Sequence, residues 1–432
     1  MWHNFQNKYS RYWKSDFFRN MKTLMAGTIF GQLIVLAFTP ILSRIYSPED
    51  FTTLEQFIMI LNIAVVVITG KYEFAIMHPK KNEEARHIVI LSTLFALLGS
   101  IIFVVFGLLF SDAIAIYYNN PEMGQYFWLL GPSLFGFALF NISNYWFSRQ
   151  KKYQYAATSK VLNASAGEPV KYTLGIFQPS AGGLIWGTTI GICLGGIYSV
   201  WSFLKTEAKG FSSWTKNEIL HQAKIYKDYP CYSIWGSILN RLAQWAHVGI
   251  FTHFYGLVAV GWMALSRRVV QAPLNVISGS FSQVFFQRIS EIEEPKELKK
   301  EYYKALWIFV LIALLIVVIA FSLPESTMGF VFGENWLPAI AYLRILTLWY
   351  ALNFITSSLS FVALRIQMQR VALALDILHF VFVYGAVIGA YYMKCDEYQA
   401  TLVLVLAKVA YFIINLTVLS WRLNHYVHQH TK

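Results

Sequence analysis

Eight of the 35 lysines and arginines lie inside long apolar stretches: Arg44, Lys160, Lys171, Arg241, Arg267, Arg268, Arg344 and Lys408. An ionised side chain at mid-membrane depth costs about 2.5–3.5 kcal/mol on insertion scales, so each needs a reason to be there. Snorkelling to a nearby boundary suits Arg44, Lys160 and Arg344. Arg241, Arg267, Arg268 and Lys408 sit near the middle of their stretches. Acidic partners are few: Glu55, Glu168 and Asp376 within, with Glu73 and Asp228 near cytoplasmic ends. Glu168 and Lys171 are one helical turn apart and can pair with each other. Deep cation in excess of deep anion implies a water-filled cavity and an anionic ligand, because a guanidinium binds phosphate oxygens with two parallel hydrogen bonds. The substrate-binding candidates are therefore Arg241, Arg267, Arg268, Arg44 and Lys408. The ion-coupling candidates are Glu55, Glu73, Glu168 and Asp228. Arg267 and Arg268 are adjacent on a helix, so only one of them is expected to face the cavity.

Other chemistry is thinly represented. The sequence has no G-x-S-x-G, no H-E-x-x-H, no P-loop and no dinucleotide fingerprint. Cys193, Cys231 and Cys395 are far apart and odd in number, which fits neither a disulfide framework nor a metal pair. His425, His428 and His430 fall at what reads as a loose cytoplasmic end. No metal and no cofactor is expected.

The elements that must hold the deep cations are membrane spans. The 432 residues are 56% apolar and only 13% charged, about half the charged share of an average soluble domain. Twelve segments have the length and apolarity of spans: about 24–45, 54–70, 87–110, 124–147, 155–177, 181–203, 229–252, 257–285, 305–323, 337–362, 371–393 and 399–421. Segments five and seven are the least apolar. The first run is too long for the core of a signal peptide and ends without a cleavage site, so it is expected to remain as a span.

The connections carry the orientation. Inner loops hold 26 of the lysines and arginines and outer loops hold one, Lys394. Basic residues mark the cytoplasmic side, so twelve spans with both termini inside is the expected topology. The net charge of +12 then reflects topology and attraction to the inner leaflet, not nucleic-acid binding. The fold class that follows is an all-α integral membrane protein, about twelve transmembrane helices in two six-helix lobes around a central cavity. The expected divisions are a cytoplasmic interfacial segment at 1–23, a first lobe at 24–204, a linker at 205–228, a second lobe at 229–424 and a tail at 425–432. Two six-span halves suit a transporter with substrate held between repeats.

Six stretches resemble the polysaccharide-repeat flippases (Wzx type) of the MOP transporter superfamily: Thr39-Pro40-Ile41-Leu42-Ser43-Arg44-Ile45-Tyr46-Ser47-Pro48-Glu49-Asp50-Phe51; Gly70-Lys71-Tyr72-Glu73-Phe74-Ala75-Ile76; Asn144-Tyr145-Trp146-Phe147-Ser148-Arg149; Lys227-Asp228-Tyr229-Pro230; Gln283-Val284-Phe285-Phe286-Gln287; and Phe332-Gly333-Glu334-Asn335-Trp336. They stand in family order. Thr52 departs from a position that is often glycine, and the fifth span is more polar than the family pattern. The resemblance implies a bacterial inner-membrane protein that moves an undecaprenyl-diphosphate-linked oligosaccharide, an O-antigen or capsule repeat unit, to the outer leaflet. It also implies alternating access, coupling to H+ or Na+, and membrane lipids as partners, with the glycan polymerase and chain-length regulator beside them. A multidrug or small-molecule exporter is the competing reading. A membrane glycan polymerase is disfavoured, because the outer loops are short and no deep paired carboxylates suggest glycosyl transfer.

Overall fold

The computed structural model describes residues 16–207, 215–290, 292, 294–366 and 368–430. Residues 1–15 of the expected interfacial segment and 208–214 of the expected linker lie outside the described residues. Twelve long helices follow one another: α1 (Asp16–Ile45), α2 (Pro48–Ile68), α3 (Asn82–Leu109), α4 (Leu130–Arg149), α5 (Tyr153–Phe177), α6 (Ala181–Glu207), α7 (Ile234–Tyr255), α8 (Leu257–Ser266, a widened turn at Arg267–Gln271, then Ala272–Ser290), α9 (Pro295–Ser322), α10 (Ala339–Arg365), α11 (Gln369–Tyr392) and α12 (Glu397–His430). No strand occurs among the described residues.

Each expected span is one of these helices. At 1.5 Å per residue, even a 21-residue helix is about 30 Å long, the thickness of a hydrocarbon core. Nine of the described helices are also apolar enough to cross a membrane. The remaining three are α5, α7 and α8, which carry Glu168 and Lys171, Arg241, and Arg267 and Arg268. In α5 and α7 charged residues lower the apolarity, whereas α8 is divided by its widened turn into helices of 10 and 19 residues. α3 and α9 turn continuous apolar rows outward, with Ile102 65% and Leu311 64% exposed. Rows of that size are stable only against hydrocarbon.

The chain packs as two compact units. The first contains α1 up to Phe38 and the chain from Gln56 to Ile238, and the second contains Thr39–Glu55 and the chain from Leu239 onward. The hairpin between α1 and α2 therefore groups with the C-terminal helices, not with its sequence neighbours. Its contacts within the second unit explain this. Trp336 Nε1 donates to the Ser43 carbonyl at 2.6 Å, and the Trp336 ring meets Phe51 edge-on at 5.0 Å. Arg44 Nη2 donates to the Phe330 carbonyl at 2.5 Å, and Thr52 Oγ1 to the Leu257 carbonyl at 2.5 Å. Trp336 is fully buried, so the bond that satisfies its indole N–H removes a cost that burial would otherwise impose.

In the first unit, α5 and α6 approach through small residues. Ser159 Oγ donates to the Gly195 carbonyl at 2.6 Å and accepts from Ser199 at 3.0 Å. A side chain at Gly187 would collide with Lys171 and with the Gly167 carbonyl, so only hydrogen fits. Close backbone approach of this kind takes the place of the hydrophobic effect, which gives little association between helices in lipid.

A second cluster of the first unit gathers three of the quoted stretches. Gly70 and Lys71 both adopt left-handed φ, 62° and 60°, and turn the chain sharply after α2 into a single 3₁₀ turn, Tyr72–Met77. Tyr72 donates to the Ala223 carbonyl at 3.2 Å, Phe74 packs on Tyr145 at 4.9 Å, and Arg149 donates to the Ile76 carbonyl at 3.2 Å. His78 Nε2 meets Tyr229 Oη at 2.7 Å. The short helix Lys216–Ile225 closes the cluster, its start fixed by the reciprocal Thr215–Glu218 cap.

The expected loose tail at 425–432 is a continuation of α12 as far as His430. Leu419, Leu423 and Val427 recur every fourth residue and are buried, so the helix keeps an apolar stripe to pack with beyond the span.

Gly187→Val is expected to lower the thermal midpoint of the detergent-solubilised protein, since overpacking costs about 1–3 kcal/mol. Gly385→Ala, where an added Cβ meets nothing within 4 Å, is expected to leave the midpoint unchanged or raise it slightly. Equal behaviour of the two variants in a thermal-unfolding series would show that the α5–α6 approach is slack.

Candidate functional site

The deep cations of the second unit are placed by a local irregularity in α8. Pro273 has no N–H to donate, and its ring crowds the Val269 carbonyl, so a regular turn cannot pass through it. The helix opens instead into a π turn at Arg267–Gln271. Arg267 Nη2 reaches both carboxylate oxygens of Glu55, at 2.5 and 2.7 Å. Its guanidinium also lies 4.9 Å from the centroid of the Trp245 ring. Arg268 lies over the Phe51 ring at 5.0 Å and is buried.

Phe51 and Glu55 are one turn apart on α2, so both arginines address the same face of the same helix. They differ toward the small cavity beside Glu55, which Arg267 lines and Arg268 does not. The widened turn alters the angular step between them, and the long side chains close the remaining distance. Glu55 is 2% exposed, although the Arg267 side chain that meets it is 26% exposed. Arg267 is therefore its obligatory counter-ion rather than a spare cation.

Beside this pair is a cavity of about 10 Å³, room for roughly one water, lined by Glu55, Arg267, His247 and Tyr350 among others. His247 Nδ1 and Arg267 Nε are buried there without a hydrogen-bond partner among the described residues.

Lys408 of α12 is 1% exposed. Its Nζ lies 3.3 Å from the Ala243 carbonyl, 3.5 Å from His379 Nε2 and 4.3 Å from the centroid of the Trp349 ring. Among the described residues no carboxylate comes within ion-pair distance of it. His379 stacks on Tyr411 at 4.0 Å, and Tyr411 donates to Asp376 Oδ1 at 3.1 Å.

Arg241 of α7 is half-buried and forms no ion pair among the described residues. Arg44 is exposed and is used by the Phe330 carbonyl. Glu55, Arg267 and Arg268 are thus brought together, while Arg241, Arg44 and Lys408 each stand in separate surroundings.

The remaining ion-coupling candidates belong to the first unit. Glu168 and Lys171 pair at 2.6 Å on α5, both buried, as their spacing suggested. Glu73 is buried in the 3₁₀ turn after α2. Burial pushes its carboxyl above the usual range, against the opposing help of a Thr69 hydrogen bond and the nearby Lys71 charge. Asp228 is exposed at the start of the turn Tyr229–Ser233 and makes no capping bond there.

Several residues of the second unit were not singled out from sequence: His247, His379, Tyr350, Tyr384 and Tyr411. A signal existed. Asp376 and His379 are one turn apart on α11, and Lys408 and Tyr411 one turn apart on α12. Neutral histidines and tyrosines insert into apolar spans at little cost, so a search for charges alone passes over them.

A family profile described as "Polysaccharide biosynthesis protein" matches residues 41–341. A Klebsiella pneumoniae protein described as "Uncharacterized membrane protein in cps region" is 22% identical over 386 residues, covering 86% of this chain and 78% of that protein. Among solved structures, the lipid II flippase MurJ in an inward closed conformation matches with a TM-score of 0.68 at 15% identity, covering 91% of this chain and 87% of the other. A multidrug resistance MATE family transporter of the MOP superfamily, inward-facing, matches with a TM-score of 0.66 at 14% identity, covering 93% and 95%. At these identities the structural matches establish the fold alone: a multi-pass bundle of long helices shared with both of those proteins.

Glu55→Gln leaves the part-buried Arg267 without its anion, and the loss is expected to stay below the cost of breaking a fully buried pair, about 3–5 kcal/mol, because solvent reaches the guanidinium. Glu55→Gln and Arg267→Gln are each expected to lower the thermal midpoint clearly. The double variant is expected to be more stable than the sum of the single losses, and strict additivity would show that the pair is not coupled.

Glu73 gives a pH-dependent prediction. Its folded carboxyl titrates above its unfolded value, so the folded state is penalised at pH above the folded value. That penalty is relieved as pH falls through the folded value toward the unfolded one. Glu73→Gln is expected to be more stable than wild type at neutral and alkaline pH, with the advantage shrinking on acidification. An advantage independent of pH in a thermal-shift series would rule this out.

Proposed function

The chain belongs to the polysaccharide biosynthesis protein family, and from that premise we propose that it carries a diphosphate-linked oligosaccharide on a polyprenyl lipid from the cytoplasmic to the outer leaflet of the bacterial inner membrane. The observation that carries this reading is the excess of intramembrane cation in the second unit. Glu55 neutralises Arg267, yet Arg241 stays half-buried with no carboxylate among the described residues, and Arg268 and Lys408 add further positive charge. A cation held at membrane depth without an internal anion is stabilised when an anionic ligand arrives. A lipid diphosphate brings that anion together with an apolar tail that the bilayer accommodates.

The uneven division of lysine and arginine between loops supports both termini on the cytoplasmic side, and this orientation makes outward movement the direction of synthesis. Alternating access driven by a proton or sodium gradient supplies the energy. The glycan polymerase and chain-length regulator are the partners that would receive the flipped unit. The MOP architecture also serves multidrug transport, but an exporter of cationic drugs needs intramembrane carboxylates in excess, and the charge balance of the second unit has the opposite sign.

Arg241→Ala is expected to insert and fold like wild type while losing most movement of a polyprenyl-diphosphate-linked oligosaccharide in proteoliposomes. Arg241→Lys, which keeps the charge but loses the fork, is expected to retain part of it. In cells, deletion is expected to leave lipid-linked repeat units on the cytoplasmic side. Wild-type movement by Arg241→Ala removes that residue from the site. Unaltered surface glycan in a deletion strain without a paralogue overturns the reading itself.

A further inference from the structure

Lys408 is fully enclosed, and nothing derived so far explains it. Its Nζ faces one backbone carbonyl, one imidazole and aromatic rings, including Tyr384 at 5.6 Å. A permanently charged ammonium there would be poorly compensated, because a carbonyl dipole and ring faces recover only part of the lost hydration. A permanently neutral amine would be a wasteful substitute for leucine. The contact at 3.5 Å with His379 Nε2 is the telling one. An ammonium can donate to a neutral imidazole, and an imidazolium can donate to a neutral amine. Two cations at that distance in a dry interior cannot coexist. The geometry therefore allows the pair to hold one proton, on either partner, and disfavours two.

The wider surroundings are compatible with such a site. From α7, His247 stands edge-on to Trp349 at 5.4 Å, and the Trp349 ring separates it from Lys408. From α8 and α2 come Arg267 and Glu55, which cancel each other. From α10 comes Tyr350, on the wall of the 10 Å³ cavity with His247. From α11 come Asp376, His379 and Tyr384, and from α12 itself Tyr411, which bonds to Asp376. The sole carboxylates in this set, Glu55 and Asp376, are already engaged by Arg267 and Tyr411.

We propose that Lys408 and His379 form a single-proton binding site between α12, α11 and α7, and that its occupancy couples the proton gradient to movement of α7. The link to α7 is direct. Protonated Lys408 donates to the Ala243 carbonyl, which also accepts from Tyr384 at 2.7 Å. Ala243 is two residues from Arg241. When the proton leaves, the charge-assisted bond from α12 to α7 weakens to that of a neutral amine, while the Tyr384 bond from α11 is unchanged. Proton occupancy and anion affinity on α7 are then linked in both directions. The coupling role rests on the transport reading above; the one-proton site itself does not.

The experiment has two arms. In the first, wild-type protein carrying ¹⁵N-histidine is titrated in nanodiscs from about pH 5 to 9, the range in which histidines ordinarily titrate. The His379 resonance is assigned by its loss in His379→Gln. Lys408→Met is expected to move the His379 midpoint by at least about one pH unit, the signature of two groups sharing one proton. An unchanged midpoint overturns the site.

In the second arm, proteoliposomes loaded with undecaprenyl-diphosphate-linked N-acetylglucosamine are given a pH gradient. Lys408→Met, His379→Gln and Lys408→Arg are each expected to lose acceleration by the gradient, read as the ratio of movement with the gradient to movement without it in the same variant. Arginine stays charged at all accessible pH, so rescue by Lys408→Arg would show that a fixed positive charge suffices and would overturn the coupling role. Failure of wild type to move the lipid counts against the transport reading, and the proton site is then judged on the titration alone.

Discussion

Within the second unit, much of the arrangement follows from one requirement: a carboxylate at Glu55 has to be neutralised where it is almost fully buried. The partner, Arg267, comes from α8 and reaches Glu55 through a turn that Pro273 forces open. Because Glu55 is buried, the pair demands a fixed position for Pro48–Glu55, the start of α2, against α8 within the second unit, and the surrounding contacts supply it. Gly261 lets the Pro48 backbone come close to α8, Thr52 donates to the Leu257 carbonyl, and Phe51 receives Arg268 on the next turn. A buried ion pair contributes modestly to net stability, but breaking it is expensive, so it acts mainly to specify one arrangement over its alternatives.

The same logic separates charges that serve the fold from charges available for work. Lys171 is consumed by Glu168, Arg267 by Glu55, Arg149 by the carbonyls of the turn after α2, and Arg44 by the Phe330 carbonyl. Arg268 rests on the Phe51 ring, and Arg344 is held by the Leu323 carbonyl and Glu325. Arg241 has no ion pair among the described residues, and the neighbours of Lys408 are a histidine and aromatic rings. The division assigns different tasks to two residues that look alike in sequence. Arg241 has a fork suited to phosphate, and Lys408 has a group that can give up its proton.

The quoted stretches that resemble the polysaccharide-repeat flippases also take on a physical meaning. Thr39–Phe51 and Phe332–Trp336 meet each other in the second unit through Trp336, Ser43 and Phe51. Gly70–Ile76, Asn144–Arg149 and the chain around Tyr229 meet in the first through Tyr72, Tyr145, Arg149 and His78. These residues hold turns together at the ends of helices. Their types are constrained by buried hydrogen bonds and by left-handed backbone at Gly70 and Lys71.

The sequence by itself determined the number and order of the helices, because a membrane span must satisfy its backbone internally and so announces itself by length and apolarity. It also determined the Glu168–Lys171 pair, since both partners sit one turn apart on one helix. It could not decide which deep cations were already neutralised. Glu55 and Arg267 are 212 residues apart, and Lys408 and His379 are 29 apart on different helices. Nor could it show that Arg267 and Arg268 meet the same face of α2, because that depends on a turn widened by a proline in three dimensions. Pairing of charge across helices is a property of packing, and packing is what decides which of the eight deep cations are consumed in holding the fold.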